Sequence, residues 1–232
     1  MKSERPTAKT FSLYFNAPTD TLPKLRGLNF DAHEAFVIET PTGRKDTLQY
    51  WIRDSLVYQI DTLQMELSYY YTDTLQQLVN RTDTLRLVSK QRPKSEKELE
   101  KERKEKEKER ERRRKKGEPE EDPIQFLALD LYAPSSIDIF DYLTLSFKEP
   151  VARLDTAAVH LRHKVDTLWV DLPFDFQQDS LDVKRYNLYA DWTPGDSYSI
   201  DVDSMAVHGL YGLFTDKVKR EFKAKTLEDY GQ

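Results

Sequence analysis

Residues 62–72 read Thr-Leu-Gln-Met-Glu-Leu-Ser-Tyr-Tyr-Tyr-Thr, and large apolar side chains occupy every second position from Leu63 to Tyr69. A period of two is typical of a β-strand with one buried face, whereas a helix repeats its apolar residues every three or four positions. The same alternation, interrupted by turn-forming residues, recurs in residues 11–15, 84–88, 127–131, 143–147, 168–172, 186–190 and 198–202. The sequence therefore predicts an all-β fold in which each sheet buries one face.

Composition excludes several classes of protein. The chain has 232 residues, 33% of them charged, and it contains no cysteine. Without cysteine there is no disulfide, zinc ribbon, iron–sulfur site or cysteine nucleophile. No run approaches the roughly 18 consecutive apolar residues that a membrane-spanning helix requires. The N-terminal residues also lack the apolar core of a signal peptide. If the natural protein is exported, we expect its signal and anchor to lie outside this chain.

Residues 93–122 form a highly charged segment, with 13 of the 36 basic and 12 of the 41 acidic residues of the chain. Glu, Lys and Arg favour helices, and opposite charges recur four residues apart, as at Glu100 and Lys104. Because the segment has no apolar stripe, it cannot form a coiled-coil seam or pack on a core. It is predicted to be a solvated linker, helical or disordered. A second interpretation is that its basic end, residues 112–116, contacts anionic lipid or nucleic acid.

The charged segment separates two flanks, residues 1–92 and 123–232, each large enough for one small β domain. A weak repeat relates them, because residues 11–15 and 143–147 both alternate and both reach a proline three residues later. The repeat suggests two copies of one β-sandwich. The second flank carries 11 basic and 18 acidic residues, which argues against a nucleic acid as its partner. The sequence leaves open whether the first domain is complete at its start, near Pro6.

A tripeptide of Asp, then Thr or Ser, then Leu recurs along the chain, beginning at Asp20, Asp46, Asp54, Asp61, Asp73, Asp83, Asp166 and Asp179. An aspartate side chain can accept a hydrogen bond from the backbone two residues further on, so each one is predicted to close a turn that precedes a strand. The alternative is a calcium array. Calcium loops group several acidic ligands within about a dozen residues, whereas these aspartates are spread singly, which favours turns.

Three stretches of the second flank, residues 143–151, 192–202 and 206–212, together resemble parts of S-layer-type bacterial Ig-like domains. Residues 143–151, Leu-Thr-Leu-Ser-Phe-Lys-Glu-Pro-Val, are similar to the early strand of that family, which ends in a Phe-x-x-Pro-Val pattern. Residues 192–202, Trp-Thr-Pro-Gly-Asp-Ser-Tyr-Ser-Ile-Asp-Val, resemble its late hairpin. Residues 206–212 lie where the family has a short turn before its last strand, although Gly212 replaces the asparagine of that turn. The resemblance covers residues 123–226 and implies a bacterial Ig-like β-sandwich.

The first flank, with its repeated Asp-Thr-Leu tripeptides and residues 51–56, resembles the domain that accompanies such Ig-like domains in surface lipoproteins of Bacteroidetes. The resemblance implies an exported protein of the cell envelope, associated with the outer membrane and touching it only through an anchor absent from this chain. The motifs of the family are structural, so the residues that they imply are fold-forming, namely Trp192, Pro194, Gly195, Tyr198 and Gly209.

The sequence offers no clear catalytic or metal site. His160 and His163 are three residues apart in a predicted strand, so they point to opposite faces and cannot chelate one metal together. Asp201 and Asp203 alternate with apolar residues, which places them on the solvated face, where a carboxylate lacks the burial that general-acid catalysis needs. We therefore expect no enzymatic activity, no cofactor and no metal.

Aromatic residues are the remaining candidates for function. At least one ring of Tyr69, Tyr70 and Tyr71 must face outward from its strand, and exposed tyrosines can bind a glycan or a protein. These rings could equally cover a sheet edge or a contact between domains. Taken with the resemblance to envelope proteins, the sequence predicts a non-catalytic structural or adhesion module of the bacterial envelope. The alternative is a glycan- or protein-binding module that uses exposed aromatics on a sheet face.

Overall fold

A computed structural model describes residues 1–18, 21–91, 96–116 and 124–231 of the chain. Strands, nearly all of them in antiparallel sheets, make up just under half of these residues and helices far fewer, which confirms the predicted β-rich fold. Buried apolar residues fall into two separate clusters, one within residues 11–87 and the other within residues 127–224. We call the parts around these clusters the N-terminal half and the C-terminal half.

Seven strands build the N-terminal half, in two antiparallel sheets. One sheet has the order β1-β2-β5-β4 and the other the order β3-β6-β7. In chain order the strands are β1 Lys2–Thr7, β2 Thr10–Tyr14, β3 Lys24–Gly27, β4 Phe36–Glu39, β5 Thr47–Ile52, β6 Thr62–Thr72 and β7 Leu78–Val88, and a short helix α1 at Ser55–Tyr58 precedes β6.

The two N-terminal sheets share one apolar core. The alternating side chains predicted to face inward are fully buried at Phe11 and Leu13 in β2 and at Leu63 in β6. The ring of Phe11 stacks on that of Tyr50, with centroids 4.6 Å apart. Alternation therefore predicted the buried face of these strands, because the pleat sends successive side chains to opposite sides.

Eleven strands build the C-terminal half. Its sheets have the orders β14-β15-β10-β8, β13-β12-β16-β18-β9 and β11-β17, and only β9 and β18 pair in parallel. The strands are β8 Leu129–Tyr132, β9 Ser136–Ile137, β10 Leu143–Phe147, β11 Val151–Leu154, β12 Val159–Val165, β13 Leu168–Asp171, β14 Asp175–Gln178, β15 Arg185–Tyr189, β16 Ser197–Val202, β17 Val207–Gly209 and β18 Val218–Ala224, with short 3₁₀ turns at Thr156–Ala158 and Leu227–Tyr230.

Between the halves, the charged segment contains the helix α2, Glu96–Lys116. Its ion pairs join residues four apart, with Lys104 Nζ 2.8 Å from Glu100 Oε1 and Arg113 Nη2 2.9 Å from Glu109 Oε1. These pairs lie on the helix surface, where each contributes only a few tenths of a kcal/mol, roughly 0.3–0.5. The prediction left helix and disorder open, and the structure has a helix.

Two of the repeated aspartates close turns as predicted. The Oδ1 atoms of Asp73 and Asp179 each accept a hydrogen bond of 2.8 Å from the backbone N–H two residues further on. Asp54 Oδ1 accepts the same kind of bond, but Asp54 caps helix α1 and does not close a turn before a strand, so the prediction is wrong there. The prediction is also wrong for Asp83, which lies inside β7 and is held by side chains across the strand. Asp20 lies outside the described residues.

Two expectations about exposure are wrong. Asp201 was expected on a solvated face, yet it is buried and its Oδ2 accepts a hydrogen bond of 3.0 Å from Arg162 Nη1. A neighbouring strand supplies that arginine, so the carboxylate is paired rather than hydrated. Leu168 and Val170 were expected to face the core but are exposed in β13, an edge strand with a neighbour on one side only.

The two halves contact each other through polar side chains. Glu39 at the end of β4 is buried, and its Oε1 accepts a hydrogen bond of 2.5 Å from Lys184 Nζ of the C-terminal half. Its Oε2 accepts another of 2.8 Å from Trp51 Nε1. Further along, the Tyr211 hydroxyl donates to the Lys9 carbonyl oxygen over 3.1 Å, and Lys9 Nζ lies 4.0 Å from the Tyr211 ring centroid.

Candidate functional site

The hairpin of β6 and β7 projects beyond its sheet. The two strands pair along their whole length, whereas β3 pairs only with Met65–Ser68 of β6. Tyr69–Thr72 therefore has β7 on one side and, among the described residues, no strand on the other. This placement follows from length, because β6 has eleven residues and β3 has four.

The three predicted tyrosines do not share one face. Tyr69 and Tyr71 continue the inward row of Leu63 and Leu67, whereas Tyr70 points to the opposite side, as the pleat requires. Tyr70 and Tyr71 are exposed and Tyr69 is half-buried. The inward row thus leaves the core at Tyr69 and becomes accessible at Tyr71.

A cleft of about 300 Å³ opens where the hairpin leaves the sheet. One wall is formed by residues 15–18, which follow β2, and by Pro23. The other wall is formed by residues 69–72 of β6 together with Leu78 and Arg81 of β7. The cleft therefore brings the predicted tyrosines together with residues that the sequence analysis did not select.

A hydrogen-bond network fixes the inner end of the cleft. The Tyr69 hydroxyl donates to Asp83 Oδ2 over 2.7 Å, and Arg81 Nε donates to Asp83 Oδ1 over 2.8 Å. Burial, followed by the hydrogen bond to Asp83, raises the pKa of Tyr69 to about 12. The bonds from Tyr69 and Arg81 in turn lower the pKa of Asp83. Asp83 is consequently a charged acceptor that holds both neighbours in place.

The rings in the cleft offer stacking surfaces. Phe15 meets Tyr69 edge to face with centroids 5.4 Å apart, and Arg81 Cζ lies 5.8 Å from the centroid of Tyr71. Aromatic faces beside a guanidinium can hold a flat or amphipathic group. Cross-strand register would have identified Arg81, since it stands directly opposite Tyr69, but register cannot be read from one strand alone.

The residues expected to be fold-forming lie in or beside the C-terminal core. Trp192 packs against Tyr198 with ring centroids 5.0 Å apart, and the Tyr198 hydroxyl accepts a hydrogen bond from Thr193 N–H. Pro194 precedes Gly195, whose positive φ of 82° suits the turn before β16. At Gly209, a Cβ would lie 2.0 Å from Glu149 Oε1, so the approach of that carboxylate requires glycine.

The two candidate histidines have separate partners in the structure. His160 Nε2 lies 3.1 Å from Asp203 Oδ2, whereas His163 stacks on Tyr198 with centroids 6.5 Å apart. Within the described ranges, no three His, Asp or Glu side chains are arranged to hold a metal ion. Across the same ranges, no helix is both long and apolar enough to cross a membrane.

Two comparisons of this chain with known proteins found no match. No protein-family model matches it, and a search of curated proteins finds no significant similarity. An assignment of function therefore rests on the geometry of its own side chains.

Proposed function

We propose that the chain is a non-catalytic structural or adhesion module made of two Ig-like β-sandwich domains, residues 1–92 and 123–232, with residues 93–122 as a charged linker. The observation that carries this proposal is strand order. Lettered A to G along the chain, the seven N-terminal strands give sheets of order A-B-E-D and C-F-G. That is the strand arrangement of a constant-type Ig domain.

The C-terminal half supports the same proposal. With β8, β10, β15 and β14 as A, B, E and D, its first sheet repeats the order of the N-terminal sheet β1-β2-β5-β4. Strands β13, β12, β16 and β18 then correspond to C′-C-F-G, where a C′ strand extends the sheet as it does in variable-type domains. The repeated segments 11–15 and 143–147 both supply strand B.

A non-catalytic role is supported by what the acidic side chains do. Asp201 is paired with Arg162, Asp203 with His160, and Asp83 with Tyr69 and Arg81. Each carboxylate has a partner that explains its position in the sheet. The proposed location in a bacterial envelope, outside the cytoplasm, rests on the family resemblance.

Cell fractionation of the full-length gene product tests this function. We expect the protein in the envelope fraction, with the module degraded when intact cells are treated with protease. Recovery in the cytoplasm, protected from the protease, would contradict the proposal. An experimental structure tests the architecture, and a strand order other than A-B-E-D in either half would refute the Ig-like assignment.

A second candidate function is binding of a surface protein or glycan in the cleft beside the β6–β7 hairpin. The observation that favours it is the collection of Tyr71, Arg81 and Phe15 around one accessible cavity. Binding of the purified chain to a glycan array and to envelope proteins is the measurement. Tyr71→Ser and Arg81→Gln should each weaken binding. The matched control is Arg86→Gln, an exposed position on the same strand outside the cleft, which should leave binding unchanged.

A further inference from the structure

A second group of tyrosines lies on the outer face of the sheet β14-β15-β10-β8. Leu143 and Leu188 are buried partners in register, so the neighbouring pair Tyr142 and Tyr189 faces outward. Their ring centroids are 4.9 Å apart and the rings are tilted by 44°. Tyr132 of β8 stands opposite Thr144, which places it diagonally beside Tyr142 on the same face. All three rings are exposed.

Neutral polar side chains fill the next row of this face. The Thr144 hydroxyl donates to Asn187 Oδ1 over 3.3 Å, and Gln177 stands opposite Asn187 in register. Gln177 Nε2 in turn donates to Asp175 Oδ2, and Asp175 is the register partner of Tyr189. Polar side chains therefore lie beside the rings, with Gln177 and Asp175 exposed, Thr144 half-buried and Asn187 buried.

Charge restricts the ligands that this face can take. The four strands contain Asp130 and Asp175, one arginine, Arg185, and no lysine. A phosphate-rich polymer requires basic side chains, so nucleic acid and anionic lipid are poor matches. The core of a protein–protein interface is depleted of charged residues, whereas this face carries the exposed carboxylates of Asp130 and Asp175 beside its rings.

We propose that this face binds a neutral polysaccharide. Sugar rings present apolar C–H faces that stack on tyrosine, and their hydroxyls bind amides, hydroxyls and carboxylates such as those of Gln177, Thr144 and Asp175. Phe140, 88% exposed in the turn just before Tyr142, supplies a further apolar ring at this end of the sheet. The site goes beyond both functions proposed above, because it shares no residue with the cleft beside the β6–β7 hairpin.

The contacts described above between the halves involve no residue of this face. One of these contacts involves Lys184, which directly precedes β15, whereas Tyr189 is the last residue of the strand. Four residue steps along a strand separate Arg185 from Tyr189, about 13 Å. A long polysaccharide could therefore lie across the aromatic end without displacing the N-terminal half.

Affinity electrophoresis of the whole chain in native gels tests the proposal, with soluble starch, a β-glucan, a xylan and a mannan as probes. We expect at least one of these polysaccharides to retard the wild-type chain. The double variant Tyr142→Ser/Tyr189→Ser should raise the apparent Kd about tenfold or more, because two stacking rings are lost. The variant Tyr142→Phe/Tyr189→Phe keeps both rings and should bind within about threefold of the wild type.

Controls separate this site from the others. Arg86→Gln, at an exposed position of β7 outside both the cleft and this face, should leave the retardation unchanged, and the thermal unfolding midpoint of each variant checks its folding. The proposal is overturned if none of the four polysaccharides retards the wild type, or if the double serine variant is retarded equally. Loss of retardation with Tyr71→Ser alone would assign glycan binding to the cleft and likewise overturn it. Capture of a peptide without retardation by any polysaccharide would mark the face as a protein-binding surface.

Discussion

Arg5 shows how a single buried charge organises the N-terminal half. Only 2% of its surface is exposed, and its guanidinium donates to the carbonyl oxygens of Ile60, Asp61 and Ala8 over 2.8, 2.9 and 3.0 Å. Burial lowers the pKa of the guanidinium. The side chain thus links β1 to the turn that leads into β6. Because the sequence of β1 does not alternate, this role could not be predicted from it.

Replacement of Arg5 by Met should destabilise the chain by about 2–4 kcal/mol, since an apolar side chain of similar length leaves several carbonyl oxygens without a donor. Urea denaturation gives the free energy of unfolding. The control is Arg86→Met at an exposed position of β7, with an expected effect of about 0.5 kcal/mol or less. Equal effects of the two changes would show that the hydrogen bonds of Arg5 contribute little.

Tyr69 provides a prediction about pH. Its pKa is raised from the ordinary value of 10.0 to about 12, so the folded chain keeps the proton where an unfolded chain loses it. The stability that Tyr69 contributes is therefore fully present below about pH 10 and is lost as the pH rises towards 12. Absorbance titration of tyrosinate should show one group fewer near pH 12 in Tyr69→Phe.

Asp83→Asn tests the cause of this shift. Removing the carboxylate should lower the pKa of Tyr69, yet leave it above 10 because burial is the larger contribution. A pKa for Tyr69 equal to that of an exposed tyrosine in the wild-type chain would contradict the buried hydrogen bond.

Among the elements, strands with a strong period of two were the easiest to predict. Residues 62–69 and 198–202 have their inward side chains where alternation places them, because burying one face of a sheet fixes the register of every side chain on it. The same argument did not predict which side chains are buried in edge strands. In β13 the alternating Leu168 and Val170 are exposed, since an apolar pattern does not show whether a second sheet covers it.

The candidate cleft was predictable only in part. The row of three tyrosines in residues 69–71 was evident in the sequence, but Phe15 and Arg81 reach the cleft from other strands. Whether Phe15 and Arg81 line the cleft depends on the pairing of β6 with β7 and on how far the hairpin extends beyond β3. These are tertiary properties, which a single strand does not encode.

Helix α2 should be dispensable for the stability of the two halves. Apart from Arg113, which is half-buried, its described side chains are exposed, so no core depends on them. We expect a flexible Gly/Ser segment in place of residues 96–116 to change the thermal unfolding midpoint by about 2 °C or less. Far-ultraviolet circular dichroism should show the loss of one helix. A larger fall in the midpoint would mean that α2 supports one of the cores.

At the scale of the molecule, the contact between the halves depends on a buried ion pair. The side chains of Glu39 and Lys184 are only 3% and 21% exposed, and Trp51 donates to the second carboxylate oxygen. Removing one partner would leave the other charge buried and unpaired, which costs free energy of folding. The contact should therefore hold the halves in one orientation as long as both charges are present.

A double-mutant cycle on Glu39→Gln and Lys184→Met measures this coupling. Each single change leaves the other group of the pair buried and unpaired. We therefore expect the double variant to lose less stability than the sum of the losses of the two single variants, by about 1 kcal/mol or more. The pair Arg26–Glu66 is the matched control, because its side chains are 73% and 35% exposed and lie within one sheet. Its coupling should be below about 1 kcal/mol. Additive effects at Glu39 and Lys184 would instead mean that the halves move independently in solution, and the ion pair would then not define their orientation.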